Sequence, residues 1–244
     1  MSTFESFDGQ VIEYVYMKGS KQTLIFLPAL GFDWTYWNKS IRYFQSKGYG
    51  ILAITLRGHT ASRTRLKTIK ISDHINDLKL LCSRLNIRKP VLIGASLGGV
   101  VAAQFKLEEG ARGCICINTP FDGVKSIQAY IPVLVFLSQP LILLDRFKRN
   151  DSSTTDFSRS SITNNIVMIL KAMTKFNSYG MYLNYLCLKN MKPVLPKGCF
   201  AVSSRNDEAL KAPRKADYFI AGNHNCAISN SEAVNRLLEK IITK

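Results

Sequence analysis

The sequence predicts an α/β fold, in which a mainly parallel, twisted sheet carries helices on both faces and a helical lid is inserted into the chain. Short apolar runs of strand length alternate with segments whose apolar residues recur every three or four positions. Strands that alternate with helices favour a parallel sheet covered on both faces. The alternation stops at residue 121 and resumes after residue 191. Residues 1–120 and 192–244 are therefore predicted to form the core, and residues 121–191 the lid.

The first half of the chain has the pattern of a hairpin followed by three pairs of strand and helix. The hairpin turns at Asp8-Gly9, a dipeptide typical of tight turns. The helices have apolar positions at helical spacing, and Ser72 is expected to cap the second of them. The predicted elements are strands at 23–30, 49–58 and 90–95, and helices at 34–47, 73–85 and 97–109.

The second half contains three more predicted strands and a closing helix. The strands lie at 113–120, 198–204 and 216–222, and the helix at 231–243 has one apolar face. Ligands of open α/β sheets bind beyond the carboxyl ends of the strands. The residues that follow each strand are therefore the candidates for chemistry.

Composition narrows the class of protein. The 244 residues are 46% hydrophobic, which is typical of a globular domain. The formal net charge of +16 attracts anions in general, but the basic residues are scattered, and the densest run, at 57–70, lacks interleaved aromatics. No specific nucleic-acid partner is expected. The apolar segment 131–144 and the basic residues at 146, 148 and 149 resemble an interfacial patch, so weak peripheral association with anionic membranes is expected.

Cysteine usage and the start of the chain indicate a cytoplasmic protein. The six cysteines contain no C-x-x-C pair, so neither a disulfide framework nor a metal site is expected. Cys114 and Cys116 alternate in an apolar run and are predicted to be small buried thiols. The opening residues show no basic region followed by an apolar stretch, so no signal peptide is expected.

Ser96 is the candidate nucleophile. The stretch PVLIGASLGGVVAAQ places it between a predicted strand and a predicted helix, in a G-x-S-x-G pattern. Such a turn would expose the hydroxyl above the sheet, and the Leu97 amide at the helix N-terminus could bind an oxyanion. The same short pattern also suits a merely tight turn, so Ser96 needs a partner base.

His224 is the candidate base among three histidines. It follows the last predicted strand, whereas His74 lies near an apolar helix face and is expected to be a surface or cap residue. His59 follows an earlier strand and could border the site, but it precedes the serine in the chain. Asp207 follows the penultimate strand and is the candidate acid, with Asp122 as its rival.

These motifs resemble the α/β-hydrolase fold superfamily, in its serine hydrolase or esterase branch, over nearly the whole chain outside 121–191. The order Ser96, Asp207, His224 is that of the family triad, LRGH at 56–59 is similar to its Arg-Gly-His turn, and Trp37 falls at the family spacing. LPALGFDWTYW occupies the place of the oxyanion loop, although Pro28-Ala29 stands where the family has His-Gly. The resemblance therefore implies Leu30 N–H as the second oxyanion donor beside Leu97.

The resemblance implies a serine hydrolase that cleaves carboxylic esters through an acyl-enzyme, without metal or organic cofactor. Phe32 and Ala95 are the expected substrate contacts, and the apolar composition of 121–191 suggests small-molecule esters with apolar acyl groups. An acyltransferase or thioesterase with the same triad, or a slow or non-catalytic small-molecule-binding member of the fold, are the alternatives.

Overall fold

The computed structural model describes residues 1–59, 68–121, 178–189, 191, 193–210 and 216–244. These residues form one eight-stranded sheet flanked by helices. The strands are β1 (Ser2–Glu5), β2 (Val11–Met17), β3 (Lys21–Leu27), β4 (Tyr49–Ile54), β5 (Val91–Ala95), β6 (Gly113–Ile117), β7 (Cys199–Ser204) and β8 (Tyr218–Ile220). The helices are α1 (Asn38–Ser46), α2 (Ile71–Arg84), α3 (Leu97–Glu109), α4 (Ser178–Lys189), α5 (Cys226–Ser229) and α6 (Ser231–Ile242), with a 3-10 helix at Trp34–Trp37.

The sheet is mainly parallel, which confirms the predicted fold class. Its strand order is β1-β2-β4-β3-β5-β6-β7-β8, and only β2 pairs antiparallel with its neighbours β1 and β4. The remaining neighbours pair in parallel. The carboxyl ends of β3 and β5 to β8 therefore lie at one edge of the sheet, where the candidate residues follow them.

Both faces of the sheet are apolar. Successive strand residues point to opposite sides, so the consecutive apolar residues of a strand contribute to both faces. In β4, Leu52 and Ile54 belong to the cluster that includes α2 and α3, whereas Ile51 and Ala53 belong to the cluster that includes α1 and α6. A strand buried on both faces needs a continuous apolar run, and the sequence of β4 has one.

Two predicted helix starts differ from the structure. The helix predicted over 34–47 begins as a 3-10 turn, and its α-helical part starts only at Asn38. The second helix begins at Ile71, so Ser72 is not its cap. The Asp73 carboxylate accepts a hydrogen bond from Lys70 N–H (2.8 Å) instead, a first-turn contact that satisfies a backbone donor before the helix.

A buried ion cluster ties the N-terminal hairpin to α2. The Arg57 guanidinium is fully buried, donates to both carboxylate oxygens of Asp77 and contacts Asp8 at 2.8 Å. Ser6 Oγ also donates to Asp77. Because removing one partner would leave the other charges buried and unpaired, the cluster constrains how the hairpin sits on the helix.

His74 lies in the interior, so its prediction as a surface or cap residue is wrong. Its side chain is 1% exposed, and Nε2 lies 2.7 Å from Asn184 Oδ1 in α4. Asn184 Nδ2 in turn donates to the carbonyl of Arg57 at 2.9 Å. Helix α4, which lies in the predicted lid, therefore packs directly against α2 and the turn after β4.

The prediction that Cys114 is a free thiol is wrong, because Cys114 forms a disulfide with Cys199. The two residues are register partners on β6 and β7, with Cα atoms 4.7 Å apart. Cys116 is a buried free thiol, as predicted, and burial raises its pKa to about 12. The spacing of cysteines along the chain could not show this pairing, which arises only when the sheet register is set.

Several predictions fall on parts of the chain that the structure does not describe. Among them are the rival acid Asp122, most of the lid at 121–191, and the apolar segment 131–144 with the basic residues that follow it. The domain boundaries remain predictions for the same reason. Within the described ranges, no helix is long and apolar enough to cross a membrane.

Burial of His74 predicts a pH-dependent stability. Burial, and then the charge of Arg57, lowers the His74 pKa to about 3, whereas an unfolded histidine titrates near 6.5. The unfolded state therefore binds the proton first, so the free energy of unfolding should fall as pH drops from about 6.5 towards 3. One such group contributes a slope of about 1.4 kcal/mol per pH unit.

Urea unfolding of the wild type and His74→Gln at pH 7, 6, 5 and 4 measures this contribution. Glutamine does not titrate, so the variant should lose less stability per pH unit over pH 6 to 4, by about 1 kcal/mol. His59, whose pKa burial lowers to about 4, is retained in both proteins and cancels from the comparison. Equal slopes for the two proteins would contradict the prediction.

Candidate active site

Ser96 lies in a sharp turn between β5 and α3. Its φ of 50° and ψ of −115° are outside the regions that residues other than glycine normally occupy. Its N–H donates to the carbonyl of Ile117 in β6 (2.9 Å), and its own carbonyl accepts from the Gly99 and Val100 amides at 3.0 and 3.2 Å. The strained residue is thus held by the neighbouring strand on one side and by the first turn of the helix on the other.

Two glycines allow this turn to pack against its surroundings. A Cβ on Gly94 would lie 2.2 Å from the Gly98 carbonyl oxygen, and a Cβ on Gly98 would lie 2.3 Å from that of Leu27. Both separations are too short for carbon and oxygen, so only glycine fits without a backbone shift. The first turn of α3 consequently lies directly against the end of β3, where the predicted oxyanion loop starts.

The two predicted oxyanion donors sit on these adjoining segments. Leu97 is the first residue of α3, and helix N-termini present unpaired N–H groups with a partial positive charge. Leu30 lies in the loop after β3, where Phe32 N–H donates to the Ala29 carbonyl at 3.2 Å. Neither the Leu30 nor the Leu97 amide donates a hydrogen bond to another described residue, and their role as oxyanion donors stays a prediction.

Asp207 and His224 form a direct pair. His224 Nδ1 lies 3.0 Å from Asp207 Oδ1 and 2.9 Å from Oδ2, and the two side chains are 12% and 2% exposed. A carboxylate at this distance accepts a hydrogen bond from Nδ1–H, and this tautomer leaves the lone pair on Nε2. The fold therefore brings the two candidate residues into contact, and their roles as acid and base stay predictions.

Backbone amides fix the Asp207 carboxylate. Oδ1 accepts hydrogen bonds from the N–H groups of Ala209 and Leu210, each at 2.9 Å. The neighbouring Glu208 accepts from the His224 backbone N–H at 3.1 Å through Oε2. The turn after β7 thus holds both the ring and the main chain of His224.

Ser96 is not hydrogen-bonded to His224 in the structure. The described residues contain no hydrogen bond from Ser96 Oγ, whose residue is 9% exposed. Catalytic hydrogen bonds are often long in ligand-free enzymes and tighten when substrate binds. The structure therefore pairs the candidate base His224 with the candidate acid Asp207, and Ser96 lies in its strained turn at the same edge of the sheet.

The predicted substrate contacts have different surroundings. The Phe32 ring is half-buried and lies 5.0 Å from the Tyr36 ring, edge to face. Ala95 ends β5 and is only 1% exposed, within the apolar cluster of α1 and α6. Their contact with substrate remains a prediction. Asp122 lies outside the described residues, so Asp207 is the acid that the described site contains.

Sequence reasoning missed Asn118, which follows β6 and is 2% exposed. Its amide nitrogen donates to the carbonyl of His224 at 2.9 Å, and its oxygen accepts from the N–H of Ser204 at 2.7 Å. Its position in the sequence is the signal that could have identified it, because it is a polar residue just after a buried strand, as the candidates Ser96 and Asp207 are.

The packing of Gly98 generates a stability prediction. Gly98→Ala should lower the free energy of unfolding by about 2 kcal/mol, because its Cβ would meet the Leu27 backbone rather than a flexible side chain. Gly113→Ala is the matched control, since its Cβ would lie 3.4 Å from the Gly198 oxygen, an ordinary contact. Urea unfolding of both variants tests this, and equal stabilities would show that the close approach is not needed.

Comparison with known proteins agrees with this geometry. The family described as alpha/beta hydrolase fold matches residues 22–165, more than half of the chain. The 3-oxoadipate enol-lactonase 2 of Acinetobacter baylyi is 32% identical over 83 residues, which are 34% of this chain and 31% of that protein. The matched stretch is thus under a third of the length of that relative.

Solved structures resemble the chain over its whole length. A carboxylesterase of Nitrososphaera gargenis superimposes with a TM-score of 0.75 at 17% identity, covering 99% of this chain and 98% of that one. The enol-lactonase of Burkholderia xenovorans has a TM-score of 0.75 at 16% identity and covers both chains completely. Identities this low show the fold alone. From the family match, the sheet order and the strained turn at Ser96 together, the chain belongs to the α/β hydrolase fold family.

Proposed function

We propose that the chain is a serine hydrolase that cleaves carboxylic esters of small molecules through Ser96, His224 and Asp207. The observation that carries this proposal is the pair of His224 and Asp207 at the edge of the sheet where the strained Ser96 opens α3. A strained serine alone suits a tight turn, but with an oriented base on a later strand it has the parts of an acyl-transfer site.

Attack begins with proton transfer. His224 Nε2 removes the Ser96 hydroxyl proton as Oγ bonds to the ester carbonyl carbon, and the carbonyl oxygen becomes an oxyanion. Asp207 accepts the Nδ1 proton in a hydrogen bond, which keeps the ring in the tautomer with a free Nε2 and stabilises the imidazolium that forms. The imidazolium then gives its proton to the leaving alkoxide, and an acyl-serine remains.

The oxyanion is bound by the amides of Leu30 and Leu97. Each donor that points at the developing charge typically contributes about 3 kcal/mol to the transition state. Since both are backbone groups, Pro28-Ala29 in place of His-Gly leaves this function intact. Deacylation repeats the chemistry with water, which His224 deprotonates, and releases the acid.

A lactone is the second candidate substrate. A lactone is an internal ester, so the same steps apply, except that the leaving oxygen stays attached to the acyl group. The sequence similarity to 3-oxoadipate enol-lactonase 2 of Acinetobacter baylyi favours this class. Acyl transfer to an alcohol, a thioester substrate and slow binding without turnover are the alternatives that the same residues permit.

Three further features of the proposal concern the surroundings of the site. The apolar acyl preference rests on the composition of the lid at 121–191, and the peripheral membrane association on the segment 131–144 and its basic neighbours. Absence of binding to anionic vesicles at low salt would refute the peripheral membrane association.

A cytoplasmic location is proposed as well. The Cys114–Cys199 disulfide provides its test, because a reducing cytoplasm keeps most thiols free. Alkylation of freshly lysed cells makes the test: reduced Cys114 and Cys199 would support a cytoplasmic location, and a persisting disulfide would contradict it.

Labelling with a fluorophosphonate tests the nucleophile. The wild type should be labelled once, at Ser96, and Ser96→Ala should be unlabelled and hydrolyse a chromogenic butyrate ester at least about 1,000-fold more slowly. Ser46→Ala, which alters an exposed serine of α1, is the control and should match the wild type. Equal labelling of the wild type and Ser96→Ala would refute a serine nucleophile at this position.

A substrate series separates the classes of ester. For an apolar acyl pocket, kcat/KM of chromogenic esters should rise about fourfold for each methylene from acetate to hexanoate, because each buried CH₂ contributes about 0.8 kcal/mol. A flat series together with faster turnover of an enol-lactone would favour lactone hydrolysis. Turnover without any added acceptor distinguishes hydrolysis from obligate transfer, since a hydrolase releases the free acid in water alone and an obligate transferase needs an alcohol.

A further inference from the structure

The side chain of Asn118 contacts the segments that carry both the base and the acid. Asn118 is the first residue after β6 and is 2% exposed. Its Nδ2 lies 2.9 Å from the His224 carbonyl, 2.9 Å from Ser204 Oγ and 3.3 Å from the Asn223 carbonyl. Its Oδ1 accepts from the backbone N–H of Ser204 at 2.7 Å. One buried amide thus bridges the ends of β6 and β7 and the loop of His224.

The orientation of this amide follows from its partners. The Ser204 N–H can only donate and the His224 carbonyl can only accept, so the oxygen and nitrogen of Asn118 have one consistent assignment. The two protons on Nδ2 suffice for the two short contacts, to the His224 carbonyl and to Ser204 Oγ. A substitution that removes the amide would leave the Ser204 N–H without that acceptor in the interior.

The Asn118 backbone is itself held in an unusual conformation. Its φ is 46°, in the left-handed region, which asparagine tolerates better than most residues. Its N–H donates to the Val202 carbonyl in β7 at 2.9 Å. The strained backbone turns the chain out of β6 and keeps the carboxamide pointing at the loop of His224 rather than along the strand.

The same end of β6 also holds the nucleophile. Ser96 N–H bonds to the carbonyl of Ile117, and Ile117 directly precedes Asn118. Ser204, which Asn118 contacts on both its N–H and its hydroxyl, lies three residues before Asp207. Ile117, the last residue of β6, and Asn118, which follows it, therefore connect to the segments that carry Ser96, Asp207 and His224.

We infer that Asn118 is a positioning residue. It holds the His224 loop where Nε2 of the ring can accept the Ser96 proton while Nδ1 stays bonded to Asp207. This inference rests on the proposed function, because the need for such alignment comes from proton transfer between Ser96 and His224. Asn118 itself lies against the main chain of His224 and not against the reacting atoms. Its loss should lower the rate of the chemical step and leave substrate binding largely intact.

The test compares Asn118→Gly with Asn118→Ala. Glycine adopts a φ of 46° without strain, so Asn118→Gly removes the side-chain amide and keeps the backbone conformation. Asn118→Ala also removes the amide, and its Cβ strains the positive φ. Both variants should lower kcat for a chromogenic ester by about 10- to 100-fold, with KM within about threefold of the wild type. Asn86→Gly is the matched control, because Asn86 also has a positive φ (54°) but an exposed side chain. A wild-type kcat in Asn118→Gly would overturn the inference.

The second readout does not depend on turnover. The His224 Nδ1 proton, bonded to Asp207, should give a downfield NMR resonance that Asp207→Asn shifts or removes, and that exchanges at least about tenfold faster in folded Asn118→Gly than in the wild type. An unchanged resonance and exchange rate in Asn118→Gly would overturn the positioning role even if the wild type hydrolyses esters. A wild type that hydrolyses no ester, but whose resonance responds to Asn118→Gly, would refute the proposed function and support the contact.

Discussion

The close approach of two backbones at Gly98 is the constraint on which the rest of the site depends. Because the first turn of α3 lies against the Leu27 carbonyl, the chain must leave β5 abruptly, and Ser96 takes up the strained φ of 50° that this requires. The same contact sets the loop after β3 beside the N-terminus of α3. One packing requirement thus places Ser96 in its strained turn and brings the amides of Leu30 and Leu97, which donate to no other described residue, onto adjoining segments.

The parallel sheet then brings together residues that are far apart in the chain. Ser96, Asp207 and His224 follow three different strands whose carboxyl ends lie at one edge, and there His224 contacts Asp207. Such turns lie outside the regular hydrogen bonds of the sheet and need their own supports. Asp207 has two backbone amides on Oδ1, and the His224 loop has Asn118 and Glu208. Asn118 and Glu208 reach the His224 loop from the segments after β6 and β7, whereas Asp207 is held by amides of its own turn.

The fold and the paired residues could be predicted because they depend on patterns local to the chain. Alternating apolar runs predicted the parallel sheet, and the order of serine, aspartate and histidine after successive strands predicted the Asp207–His224 pair. Residues whose environment depends on distant partners could not be predicted. His74 is buried because Asn184, 110 positions away in the sequence, accepts its hydrogen bond, and Cys114 meets Cys199 only through the register of β6 and β7. Asn118 could not be singled out either, because asparagine is common in turns and its sequence context does not show its partners.

The contact of Asn184 with His74 and Arg57 also bears on the predicted lid. Helix α4 is a described part of residues 121–191 that packs against the core, and apolar packing alone would let it slide along its neighbours. Hydrogen bonds are directional, so the Asn184 amide, which bonds His74 Nε2 on one side and the Arg57 carbonyl on the other, fixes α4 in one register. A slide of one turn would leave the buried His74 without its partner. The Arg57 turn follows β4 at the same edge of the sheet as Ser96, and so the helix through which the predicted lid rejoins the core is fixed relative to the site by a polar contact.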